Sequence, residues 1–164
     1  MLQDLLRKKQ DEIVRRWRAL KLATYPAETR QFLEREPDRF ANPVGHTIET
    51  GLASLYAELI GEQDPAAMRQ GLDGIVRIRA VQELGAAPAV GFVLLLKDAV
   101  AEVLNPGSLS AADLTELREF DARIDRLLLL AFDLYVADRE QVFQIRANEL
   151  NARSAKLIER LDRK

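Results

Sequence analysis

Between Ser110 and the final residue, Lys164, the chain carries neither a proline nor a glycine. Those two residues are the ordinary terminators of a helix. The 54 residues after Ser110 can therefore form one continuous helix of about 80 Å. That is too long to pack wholly within a domain of 164 residues, so part of it must project or pair with another chain. Phe120, Ile124, Leu127, Ala131, Leu134, Val142 and Ile145 form one apolar stripe along it. A second stripe begins with Leu128, Phe132 and Tyr135 and continues as Phe143, Leu150 and Leu157. With Ala147, Ser154 and Leu161 it alternates three- and four-residue steps, a short heptad seam. The expectation is a helical domain over residues 1–135 and an extension over 136–164. Two copies would pair in parallel through Phe143, Leu150, Leu157 and Leu161.

Proline and glycine also divide the chain before Ser110. Leu2, Leu5, Leu6, Ile13, Trp17 and Leu20 lie at helical spacing over residues 2–22. A short helix is expected around 27–35, and a long one from Pro43 to Ile60 with its proline in the tolerated first turn. Asp64 and Pro65 suit the start of a helix over 65–84. Another helix is expected from Pro88 to the "NPGS" at 105–108, after which Ser110 caps the last. No strand pattern interrupts this series. The expected class is all-α.

Composition removes whole classes of chemistry. There is no cysteine, hence no disulfide, cysteine-bound zinc, iron–sulfur cluster or thiol nucleophile. The net charge of -2 gives no overall pull toward nucleic acid or an anionic membrane. Residues 1–22 hold seven Lys/Arg against three Asp/Glu, the pattern of a solvated helix face. No apolar run of about 18 residues and no leader-like segment is present, so a cytoplasmic protein without a membrane partner is expected. The phosphate-binding, dinucleotide, nucleophile-elbow and zinc-protease motifs are missing. Neither catalytic nor metal-binding residues are assigned, no cofactor is expected, and the chain is read as non-enzymatic.

Placing residues at 100° intervals reveals polar groups on apolar faces. Arg79 falls at the centre of the Met68–Leu72–Ile75–Val76 face with Gln82 close by, whereas Arg77 points away. Lys97 shares a face with Val90, Val93, Leu96, Val100 and Leu104, and Asp138 continues the stripe of Leu127 and Leu134. Buried charges cost several kcal/mol unless partnered, so these residues mark either a polar pocket or the rim of the core. Gly71 and Gly74 inside a helix point to close helix packing. His46, the only histidine, sits opposite the Val44–Ile48–Leu52–Leu55–Leu59 face. That placement favours a surface residue over a haem or metal ligand.

The stretches "LATYPAETRQFLEREPDRFANPVGHTI" and "VRIRAVQELGAAPAVGFVLLLKDAV" resemble the N-terminal domain family of RsbRD-type RsbT co-antagonist proteins, over roughly residues 10–145. The resemblance implies a stressosome sensor domain, related to the haem-free globin-like helical bundles, dimeric and continued by a signalling helix. In such proteins that helix leads to a STAS domain that controls a kinase, and residues up to Lys164 contain none. The regulatory partner expected is a STAS-domain or switch-kinase protein. Asn42, Pro43, Gly45, Arg77, Arg79, Gln82 and Lys97 carry over from the matching stretches as candidate pocket or signal-coupling positions, and Asp138 joins them by its stripe. Two further readings stand beside the sensor: a haem-binding globin-like gas sensor, and a ligand-free dimerisation adaptor.

Overall fold

The helices are α1 (Leu2–Lys8), α2 (Gln10–Leu22), α3 (Ala27–Arg35), α4 (Pro43–Ile60), α5 (Pro65–Val81), α6 (Ala86–Val90), α7 (Leu95–Leu104) and α8 (Ala111–Asp162). Short 3-10 turns occupy Gly91–Val93 and Pro106–Ser108. This computed structural model describes residues 1–81 and 85–163, and no strand occurs among them. The class is all-α.

Local chemistry explains most of the starts. The Asn42 side chain accepts from the Gly45 N–H at 2.9 Å, and Pro43 follows at the first helical position of α4. Asp64 accepts from the Ala66 N–H at 3.3 Å ahead of α5. Ser110 and Asp113 form a reciprocal capping box: the Asp113 N–H donates to Ser110 Oγ at 3.1 Å and the Ser110 N–H donates to Asp113 Oδ2 at 3.2 Å. These bonds satisfy donors that a helix start leaves open.

Two expected helices are broken by tertiary bonds. The span over 2–22 divides at Lys9. The Tyr56 hydroxyl donates to the Leu6 carbonyl at 3.0 Å, the group that an unbroken helix would offer to Gln10. Leu2 and Leu6 thereby pack inward separately from Ile13 and Trp17. The helix expected from Pro88 is interrupted by the turn at Gly91–Val93. There the Trp17 indole N–H donates to the Phe92 carbonyl at 2.7 Å, and both Phe92 and Val93 are buried.

The core lies where α4, α5 and α8 meet, with α2 and α7 closing it. Gly71 and Gly74 do serve close packing: a Cβ on Gly71 would lie 3.0 Å from Leu55 Cγ, and one on Gly74 2.8 Å from the Thr47 methyl. On α8, Phe120, Ile124, Leu127, Ala131 and Leu134 are buried. The stripe does not continue as expected. Val142 is half-buried and Ile145 is exposed, because the other helices no longer flank α8 there. Every described residue from Phe143 to Arg163 is exposed.

Candidate functional site

Arg79 lies on the inward face of α5 and is 93% removed from solvent, with 7% exposure. Its guanidinium carbon sits 3.8 Å from the centroid of the Tyr25 ring, and Nη2 donates to Thr24 Oγ1 at 3.3 Å. Its Nε is buried without an acceptor among the described residues. Lys21, from α2, is buried in the same place at 1% exposure. Its Nζ lies 4.3 Å over the Phe92 ring and 5.7 Å from the Tyr25 centroid. Burial, and then the charge of Arg79, push the Lys21 ammonium down to about 7. The same burial raises the Tyr25 phenol, against the pull of Arg79. Two basic side chains thus share one aromatic enclosure, and among the described residues neither has a carboxylate partner.

Lys21 is the member that the reading of polar residues on apolar faces passed over. It continues the buried spacing Ile13–Trp17–Lys21 on α2, so the 100° test that singled out Arg79 would have found it too. The basic residues around it carry the pattern of a solvated face, which hides Lys21.

The other candidates stand apart from this pair. Lys97 reaches across from α7 to α8, where Nζ lies 2.7 Å from Asp125 Oδ1. Neighbouring Asp121 has its carboxyl raised by burial, with Lys97 opposing that rise. Asp138 presents Oδ1 to Arg77 Nε at 3.9 Å, while Oδ2 is buried without a hydrogen-bond partner among the described residues. Burial, and then Asp73, raise its carboxyl against Arg77. Arg77 itself is turned outward and pairs with Asp73 at 2.9 Å. Asn42 is buried, and its amide nitrogen donates to the Leu33 and Glu36 carbonyls at 3.2 and 3.1 Å. Its polar atoms therefore join α3, the following turn and the start of α4. Gln82 lies outside the described residues. Arg79, Lys97, Asp138 and Asn42 are not joined to one another by any hydrogen bond or ion pair among the described residues.

His46 is exposed on the first turn of α4, beside the Asn42 cap rather than facing the core. The seam residues Phe143, Leu150, Leu157 and Leu161 are 58%, 62%, 59% and 72% exposed. One contact joins that seam to the buried basic pair. Arg139 on α8 donates through Nη1 to the carbonyl of Ala80, next to Arg79, at 3.0 Å. The same guanidinium lies 4.9 Å from the centroid of Phe143.

Among the described residues no group of three or more His, Cys, Asp or Glu is placed to hold a metal ion. No helix among them is long and apolar enough to cross a membrane. Neither a curated protein nor a solved structure matches the chain. The family described as RsbT co-antagonist protein RsbRD N-terminal domain matches residues 11–150. The chain belongs to that family, whose members are regulatory modules of the stressosome type.

Proposed function

We propose that this RsbRD N-terminal family member is a non-enzymatic sensor that works as a parallel homodimer. Residues 1–135 form the sensing bundle, and residues 136–164 extend its last helix as a short coiled coil. A signal received among the buried polar residues repacks α5 against α8 and is carried outward along α8 to a regulatory partner. That partner is a protein of the STAS-domain or switch-kinase type, and the setting is the cytoplasm.

The observation that supports this reading best is the double engagement of Arg139. It holds the C-terminal end of α5 through the Ala80 carbonyl and lies against Phe143, where the exposed seam begins. A shift of α5 therefore has a direct mechanical route into the seam. A ligand can drive such a shift only by binding two arrangements unequally. The seam itself supports pairing, since four large apolar residues at heptad spacing stand in solvent in a single chain.

Sedimentation at micromolar concentration tests the reading. The native chain is expected to run as a dimer, and the double variant L150D/L157D as a folded monomer with unchanged helix content in residues 1–135. A native monomer, or a dimer indifferent to both aspartates, would remove the twinned-helix mechanism.

A further inference from the structure

Lys21 and Arg79 pose an electrostatic problem that the described residues leave unsolved. Both are buried against Tyr25, yet among the described residues no carboxylate faces either one. Lys21 has only aromatic faces, those of Phe92 and Tyr25, and Arg79 bonds the Thr24 and Tyr25 hydroxyls while its Nε stays open. Cation–π contact recovers only part of the lost hydration of a buried cation. The desolvation cost of an uncompensated ion exceeds that recovery. Such an arrangement is complementary to a negative charge that comes from outside.

We propose that Lys21 and Arg79, with Tyr25 and Phe92 as walls, form a binding site for a small carboxylate ligand. The carboxylate class follows from the donors and the enclosure. A guanidinium presents a planar edge that matches two carboxylate oxygens, and a lysine adds a point charge. The aromatic walls suit an anion with a small apolar body. A phosphate dianion would have to shed far more hydration to enter. The site lies beside the α2–α3 turn, where Thr24 is exposed and Tyr25 is only half-buried, so displacing the Tyr25 ring is the entry route.

Binding is linked to a proton. With its ammonium pushed down to about 7, Lys21 is largely neutral at pH 8 in the free protein. A carboxylate beside it restores the charged form, so ligand and proton enter together. Among the described residues, Arg79 is the charge that acts on Lys21. Arg79 approaches from α5, while Tyr25 from the turn and Phe92 from the α6–α7 connection contribute uncharged rings. This site gives the sensor reading its ligand class and rests on that reading only for its consequence. Binding is measured on the chain itself and is indifferent to the dimer.

The test is thermal unfolding of the native chain in sodium acetate and sodium benzoate against chloride at equal ionic strength, with inorganic phosphate as the contrasting anion. The expected result is a rise of about 5 °C in Tm at some thirty times Kd, absent in both K21M and R79Q. Calorimetry at pH 8 in two buffers of different ionisation enthalpy should show uptake of close to one proton per carboxylate bound, and almost none at pH 6. No carboxylate-dependent shift in the native chain, or an equal shift in K21M and R79Q, overturns the site. A shift with phosphate alone overturns the carboxylate assignment.

Discussion

Gly51 and Gly71 bring α4 and α5 together at their backbones: a Cβ on Gly51 would lie 2.9 Å from the Gly71 carbonyl oxygen and 2.9 Å from Ile75 Cδ1. A side chain could yield to an added methyl, but the carbonyl oxygen moves only if α5 moves. G51A is therefore expected to destabilise the fold by about 2 kcal/mol, seen as a lower midpoint in urea. Gly91 has nothing within 4 Å of its Cβ direction. G91A should consequently be neutral or gain about 0.5 kcal/mol through the unfolded state. Equal losses at the two positions would dismiss the close-approach argument.

Asn42 offers a sharper test of what a cap does. Its oxygen serves the Gly45 N–H, while its nitrogen serves two carbonyls, those of Leu33 and Glu36. In an isolated helix Asp caps as well as Asn. Here N42D would keep the acceptor, lose both donations and set a carboxylate against two carbonyl oxygens. N42A and N42D should each cost about 2 kcal/mol in denaturant unfolding. Native stability in N42D would mean that the bonds back to Leu33 and Glu36 contribute nothing.

What could be read without coordinates follows the range of the interactions involved. The bounds of α4 at Pro43 and Ile60 and the start of α8 after Ser110 were legible because their signals lie within four residues. The break at Lys9 was not, since it answers to the bond that Leu6 accepts from Tyr56, fifty residues further along the chain. The interruption after Val90 answers to Trp17 in the same manner. Of the candidate site, the burial of Arg79 was legible from helical geometry. Lys21 obeys the same geometry but was masked by the basic residues around it. Nothing in the spacing could reveal that Arg79 and Lys97 face different neighbours, because that depends on how α7 lies against α8.

The pH dependence of stability carries the signature of Lys21. Its folded-state value of about 7 lies below the ordinary 10.5, so the unfolded chain binds more protons between those limits. Stability must then rise with pH across that window, because folding no longer opposes a charge that solution would keep. Below about 7 both states are charged and the penalty is complete. K21M removes the group, so its Tm should exceed that of the native chain at pH 7 and stay flat from pH 7 to 9. Tyr25 and Tyr56, whose phenols are raised by burial, confine their own effect to more alkaline conditions. A native profile as flat as that of K21M would mean that Lys21 is solvated.

The Lys97–Asp125 pair calls for the opposite expectation. Its members lie 2.7 Å apart, but their side chains are 32% and 57% exposed, and such pairs contribute less than about 1 kcal/mol. K97M should therefore fold, dimerise and melt within about 2 °C of the native chain at neutral pH. The effect that remains falls on Asp121, whose carboxyl is raised by burial and held back by Lys97. Without that lysine the Asp121 carboxyl should rise further. A raised carboxyl means that the folded state binds the proton more tightly, so stability is lost as pH climbs past the unfolded value. The small deficit of K97M should then appear at pH 7 and vanish near pH 3, where Asp121 is protonated in either chain. A double-mutant cycle with D125N separates direct pairing from this indirect effect. Coupling well above 1 kcal/mol would make the pair a structural clasp. Weak coupling leaves α7 held in place by its buried apolar residues Leu96, Ala99, Val100 and Leu104.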